Sequence, residues 1–184
     1  MDEIQPSREL FRVLTKSLNV SGVLAILADP LSNSCTVARS CNSLRALALD
    51  RRTLRDEFLK CITTVESRMI KFRSDPTVQK CSIMMLAAFA EKKELSREIG
   101  ESRSFTAIFD TWSQHQREQN LVIDILVTLR SLTMIEGNRN TACKSGAIVL
   151  TIQSMKDFRD QASIQSQSLA LLSNLAFGSD EAKL

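Results

Sequence analysis

One pattern of apolar residues occurs three times in this chain, as "VQKCSIMMLAAFA" (residues 78–90), "LVIDILVTLRSLT" (121–133) and "IQSQSLALLSNLA" (164–176). Each copy begins 43 positions after the one before it. Alignment places Leu86, Leu129 and Leu172 at one position, with apolar residues eight positions before it and three after it. Residues at these intervals lie on one face of a helix of about 3.6 residues per turn. The pattern therefore predicts three copies of one amphipathic helix.

A second amphipathic pattern recurs between these copies at the same interval. "SFTAIFDTW" (104–112) corresponds to "GAIVLTIQSM" (146–155), so that Phe105 aligns with Ile148. Similar stretches lie upstream, namely "SGVLAILAD" (21–29), "LRALA" (44–48) and "ITTVESRM" (62–69). Self-similarity at about 40 to 47 residues is typical of helical solenoids, in which each repeat buries its apolar face against its neighbours.

The repeats form one continuous array, and no domain boundary is expected inside it. We interpret residues 1–20 as a capping helix, "SRELFRVLTKSL", followed by approximate repeats 21–50, 51–92, 93–136 and 137–184. Polar or proline-containing loops precede each long helix, and Pro76 suits a first helical turn. Gly137, Gly146 and Gly178 are expected to mark turns between helices.

The last copy, "NRNTACKSGAIVLTIQSM" (138–155) followed by "SIQSQSLALLSNLAFGSDEAK" (163–183), resembles the armadillo repeat. In that family a short first helix precedes a "GAI" turn into a second helix, and a longer third helix begins near a "VQ" pair and ends near "LSNLA". The resemblance is closest over 138–183, weaker over 77–120 and weakest before residue 50. Arg103 stands where the preceding copy would have the glycine of "GAI". The alternative for the whole chain is a HEAT-type or another armadillo-like superhelix.

The resemblance implies an all-α, right-handed solenoid of about four armadillo-like repeats, whose third helices line a concave groove. In armadillo arrays the asparagine of N-L-A projects into that groove, where its amide both donates to and accepts from a bound peptide. Carried over by position, the groove residues here are Asn174, Ala170, Gln167, Ser131, Val127, Asp124, Ala88, Met84 and Cys81. Ala170 stands where the importin-alpha branch has a tryptophan, so capture of basic nuclear-import peptides is not supported.

Several of these residues have a plain structural interpretation as well. Asn174 lies near a helix end, where asparagine often braces the following loop. Met84 and Met85 are adjacent, so only one of them faces the core. Trp112 aligns with Met155, which favours packing over an exposed anchor. His115 lies in the polar loop "SQHQREQN" and is expected to be solvated.

Composition argues against several classes of function. A net charge of +3, with arginines and acids interleaved in "DRRTLRDEFLK", argues against a nucleic-acid interface. Five cysteines without a CxxC pair suggest neither a zinc site nor a disulfide framework, and favour reduced thiols in cytoplasm or nucleus. No apolar stretch approaches the ~20 residues of a membrane span. No catalytic motif, metal site or cofactor site is found in the sequence.

The sequence therefore predicts a non-catalytic scaffold or adaptor that binds a peptide or helix of a partner protein along the groove. The groove would be mixed in character, with one acidic group, Asp124, beside an apolar patch. The alternative is a structural assembly module that self-associates through the ends or the convex face of the array.

Overall fold

The computed structural model describes residues 20–49 and 55–177, and within these ranges every regular element is an α-helix. The helices are α1 (Val20–Ala28), α2 (Ser34–Leu49), α3 (Arg55–Lys71), α4 (Pro76–Ala90), α5 (Lys93–Glu101), α6 (Ser104–Gln114), α7 (Gln119–Leu132), α8 (Glu136–Lys144), α9 (Ala147–Asp157) and α10 (Ala162–Ala176). The all-α prediction is confirmed for this part of the chain. The expected capping helix of residues 1–20 lies outside the described residues, Val20 excepted.

The three stretches that share the repeated pattern form α4, α7 and α10, as predicted. The start of α4 is fixed by a side-chain cap, because Asp75 Oδ1 accepts hydrogen bonds from the backbone N–H groups of Thr77 at 2.9 Å and Val78 at 3.2 Å. Pro76 occupies the first turn, where its missing N–H group has no helical partner to lose.

Two of the three glycines expected at turns lie among the described residues and differ in their roles, while Gly178 lies outside those residues. Gly146 has a φ of +88°, in the left-handed region that favours glycine, and it leads into α9. Arg103, its equivalent one repeat earlier, has a φ of −79° and therefore needs no glycine. The expectation for Gly137 was wrong, because this residue lies inside the first turn of α8, which starts one residue before it.

Helices one repeat apart pack side by side. The most extensive contacts join α2 to α4, α4 to α7 and α7 to α10, and we call these four helices the third-helix row. A second set of contacts joins α1 to α3 and α3 to α6, while α5 packs on α8. Trp112 extends the second set to α9, because its Nε1 donates to Ser154 Oγ at 3.1 Å.

The core lies between the third-helix row and the other helices. Trp112 is completely buried, which confirms the prediction that it packs in the interior. Ile83 and Leu126, at equivalent positions of α4 and α7, are also fully buried, whereas their counterpart Leu169 on α10 is 59% exposed. Helices α4 and α7 have row neighbours on both sides, but α10 has a described neighbour on one side only.

A glutamine with the same pair of hydrogen bonds recurs at the start of two row helices. Gln79 Nε2 donates to the carbonyls of Met69 at 3.0 Å and Phe72 at 2.9 Å. Gln165 belongs to the matching position two repeats later, and its Nε2 makes the same two bonds, to the carbonyls of Met155 and Phe158, at 2.9 and 3.0 Å. The glutamine of the "VQ" or "IQ" pair thus ties these two row helices, α4 and α10, to the end of the helix before each of them.

Candidate partner-binding face

The nine predicted groove residues lie on three adjacent helices of the row, three on each of α4, α7 and α10. Seven of them are partly exposed, namely Met84, Asp124, Val127, Ser131, Gln167, Ala170 and Asn174. Cys81 and Ala88 are only 8% and 5% exposed, so they offer a partner little surface. We call the seven partly exposed residues the row face.

The two adjacent methionines of α4 differ in burial, as their positions predict. Met85 is completely buried in the core, and Met84 is partly exposed on the row face. Val127 and Ala170 continue the apolar surface from α7 to α10. The middle of the row face is therefore apolar and built from short or flexible side chains, which leave room for another chain to approach.

The side-chain amide of Asn174 is partly used in hydrogen bonds within the chain. Its Nδ2 donates to the carbonyl of Arg130 at 3.0 Å and lies 3.4 Å from Thr133 Oγ1 and 3.7 Å from Met134 Sδ. The amide therefore braces the end of α7, and its donor capacity is used there. Its Oδ1 accepts no hydrogen bond from the described residues. The armadillo resemblance implies that this amide both donates a hydrogen bond to a bound peptide and accepts one from it. Only the accepting role remains available for a peptide here.

The most polar part of the row face contains two acceptor oxygens that have no partner. Asp124 Oδ2 and Gln167 Oε1 are shielded from solvent and accept no hydrogen bond from the described residues. Burial raises the pKa of the Asp124 carboxyl, while the positive charges of Lys80 and Arg45 act in the opposite direction. Neither cation was singled out in the sequence, because Arg45 belongs to a different helix, α2, and only packing brings it close.

Two cysteines of the row helices, Cys41 and Cys81, are buried and lie within hydrogen-bond distance of neighbouring side chains. Cys81 Sγ accepts a hydrogen bond from Asn42 Nδ2 at 3.3 Å, and burial raises the pKa of its thiol. Burial also raises the pKa of Cys41 to about 12, and its Sγ lies 3.6 Å from Ser82 Oγ. Such thiols are protonated and unreactive at neutral pH. Over the described ranges, no group of three or more potential metal ligands is found.

A surface cavity of about 340 Å³ opens where α4 and α7 end, and it adjoins the row face at Ser131. Its remaining lining residues are Ala90, Glu91, Lys93, Ser96, Met134 and Ile135. Met134 is 71% exposed, which is unusual for a large apolar side chain. Sequence reasoning missed this cavity because Met134 and Ile135 follow the last turn of α7, where helical periodicity no longer indicates a direction.

A larger cavity, of about 460 Å³, lies away from the row face, between α3 and α6. Its lining includes Ile70, Arg73, Asp110 and Thr111, and Thr111 Oγ1 is occupied by a hydrogen bond to Gln79 Oε1 at 2.6 Å. Nearby, His115 is partly buried and not fully solvated as expected, with its Nε2 2.8 Å from the Arg73 carbonyl. That bond ties two loops together, which is a structural role.

Comparisons of the chain with protein-family models, with curated proteins and with solved structures found no match. Across the part of the chain that the structure describes, no helix combines the length and the apolar character needed to cross a membrane.

Proposed function

We propose that this chain is a right-handed, armadillo-like solenoid that binds a peptide or helix of a partner protein along its row face, without catalysis. The constant interval between equivalent helices and their side-by-side contacts support the solenoid assignment. The "GAI" glycine in its left-handed conformation and the recurring glutamine bonds support the armadillo-like detail. We place the protein in the cytoplasm or the nucleus, in keeping with its reduced cysteines.

One observation carries the proposed binding role: the row face combines an apolar middle with a polar group that the chain itself does not fully satisfy. Val127 and Ala170 supply the apolar middle, and Asn174 supplies the polar group, since its Nδ2 donates within the chain but its Oδ1 accepts no hydrogen bond from the described residues. Interfaces join an apolar centre to a few polar groups that fix orientation.

The test requires a ligand, which can be selected from a phage library that displays random peptides of about twelve residues on immobilised protein. Binding of the selected peptides is then measured by fluorescence anisotropy on three proteins: wild type, Ala170→Arg and Thr106→Arg. Ala170→Arg fills the middle of the row face, and Thr106→Arg adds the same side chain at an exposed position of α6. We expect Ala170→Arg to weaken binding about tenfold or more, with Thr106→Arg near wild type. Equal binding by all three proteins would reject the row face as the site.

A second candidate function, assembly through the ends of the array, is favoured by an exposed apolar surface on the last two described helices. Val149 on α9 is 71% exposed and Ile152 is 41% exposed, next to Leu169 on α10 at 59%. In the preceding repeats Phe109 and Leu126, which correspond to Ile152 and Leu169, are buried. The surface thus continues the pattern that stacks one repeat on the next.

Light scattering over a range of concentrations separates this candidate from the first. Self-association predicts that the apparent mass rises above the 20.6 kDa of one chain and that Leu169→Glu restores a monomer. A wild-type protein that stays monomeric at all concentrations would exclude assembly through this surface.

A further inference from the structure

Positive charge is concentrated on the helices of the third-helix row. The whole chain is nearly balanced, with 24 basic and 21 acidic residues. The four row helices, by contrast, contain four basic residues and one acidic residue, namely Arg39, Arg45, Lys80, Arg130 and Asp124. All five side chains are partly exposed. The row is therefore electropositive, although the chain as a whole carries little net charge.

The single acid on the row offsets these cations only in part. Asp124 Oδ2 is shielded from solvent, so that a visiting group meets little of this carboxylate. The charges of Lys80 and Arg45 both act on the same carboxyl group. The side chains of Lys80, Arg45 and Arg130 form no hydrogen bond or ion pair with the described residues. Their N–H groups are therefore free to bind an anionic group from outside.

The cations lie on both sides of the apolar middle of the row face. The apolar line across three adjacent row helices consists of Met84, Val127 and Ala170. On α4, Lys80 precedes the line by four residues, or about 6 Å along the helix. On α7, Arg130 follows the line by three residues, or about 4.5 Å. Arg45 occupies the position of α2 that is equivalent to Arg130, so it lies on the same side as Arg130.

The polar groups of the row face favour a helical partner segment over an extended one. An extended main chain needs partners for its N–H and C=O groups, whereas a helix bonds its own. Asn174 Nδ2 is already used on the Arg130 carbonyl, and the equivalents of Asn174 on α4 and α7 are Ala88 and Ser131. Packed helices lie about 8–10 Å apart, so the apolar line is about 16–20 Å long. A helix of about eleven to thirteen residues covers that length.

We infer that the partner presents an acidic amphipathic helix to the row face. The apolar stripe of this helix lies on Met84, Val127 and Ala170. Asp or Glu side chains on the two edges of the stripe bind Lys80 on one side and Arg45 and Arg130 on the other. The inference rests on the proposed function, because it names the occupant of the row face. It is narrower, since it specifies the conformation of the partner segment and the sign of its charge.

The test uses the peptides selected from the random library and two double variants. Lys80→Gln together with Arg130→Gln removes two charges from the row helices. Arg97→Gln together with Arg103→Gln removes two charges from exposed positions outside them. Because both double variants lower the net charge equally, a difference between them reports the position of the charges. We expect the first to weaken binding about tenfold or more and the second to leave it within about twofold of wild type. Circular dichroism confirms that each variant is folded.

Two measurements on the wild-type protein decide the question even if a double variant fails to fold. Raising the KCl concentration from about 50 mM to about 500 mM should weaken binding several-fold, because salt screens the exposed charge pairs. The far-ultraviolet helical signal of the mixture should exceed the sum of the separate signals of protein and peptide. A proline placed in the middle of the peptide should weaken binding about tenfold or more, because it breaks the helix.

The selected sequences complete the test. They should carry at least two acidic residues beside apolar residues spaced at intervals of three and four. Peptides that need Ala170 intact but are neutral or basic, bind both double variants alike, or gain no helicity would overturn this inference and leave the proposed function standing. Peptides indifferent to Ala170→Arg, or a selection without any enriched peptide, would overturn both.

Discussion

Gln79 and Gln165, two repeats apart, each donate two hydrogen bonds to main-chain carbonyls at the end of the helix before their own. The same side chain in the same place therefore joins two helices in two different repeats. The intervening repeat has Val122 at this position, and the loop before α7 is instead held by His115, whose Nε2 lies 2.8 Å from the Arg73 carbonyl, and by a bond from Gln116 Nε2 to the Ser113 carbonyl at 3.0 Å. The repeat is thus visible in polar contacts as well as in apolar ones.

Replacement of Gln79 by Ala should destabilise the chain more than replacement of Gln165. Gln79 is 1% exposed, and its Oε1 also accepts a hydrogen bond from Thr111 Oγ1 at 2.6 Å, so the change leaves buried partners unsatisfied. We expect Gln79→Ala to lower the free energy of unfolding by about 1–3 kcal/mol. Gln165 is only partly buried, so water replaces some of its bonds. Urea unfolding measures both losses, and a larger loss at Gln165 would contradict this account.

Replacement by Ala of two glycines inside helices, Gly100 and Gly137, should change the stability of the protein in opposite directions. A Cβ added at Gly100 would overlap Asn138 Oδ1, whereas a Cβ at Gly137 would meet nothing. Asn138 has little freedom to move, because it is 4% exposed and its Nδ2 donates to the carbonyls of Ser96 at 2.9 Å and Leu132 at 3.0 Å.

Gly100→Ala should therefore lower the melting temperature, while Gly137→Ala should raise it, since Ala stabilises a helix interior by about 0.5–1 kcal/mol relative to Gly. Thermal unfolding followed by circular dichroism compares the two variants under identical conditions. A gain in stability from Gly100→Ala would show that α5 and α8 pack less closely at Asn138 than the structure indicates.

The cysteines should differ in reactivity according to their burial. Cys35 is exposed, whereas Cys41 is buried and its thiol has a pKa raised to about 12. Because the thiolate is the reactive form, Cys41 should resist alkylation in the folded protein at pH 8, and Cys35 should react first. Mass spectrometry of peptides after brief iodoacetamide treatment gives the order. Denaturation in urea is the control, because it should bring the two rates together.

The spacing of apolar residues in the sequence was enough to predict the helices and most of the core, because it determines which side of each helix is buried. It was not enough to predict exposure on the row face. Cys81 and Ala88 share the register of Asp124 and Ser131 but are nearly covered, since exposure depends on how closely neighbouring helices approach. The bond from Asn174 to the Arg130 carbonyl likewise depends on where α7 ends, which no periodicity indicates.

The Asp124 carboxylate should reduce stability at neutral pH. Burial raises its pKa in the folded chain above the unfolded value of about 3.9, in spite of Lys80 and Arg45. The folded chain therefore holds this proton more tightly than the unfolded chain does, and ionisation favours unfolding. We expect Asp124→Asn to increase the free energy of unfolding at pH 7. The advantage over wild type should shrink as pH falls through the folded pKa towards the unfolded value.

Urea unfolding of wild type and Asp124→Asn between pH 4 and pH 7 measures this difference, and the exposed Asp110→Asn is the matched control. If Asp124→Asn were less stable than wild type at pH 7, attraction to Lys80 and Arg45 would outweigh burial, and the carboxylate would be needed for folding.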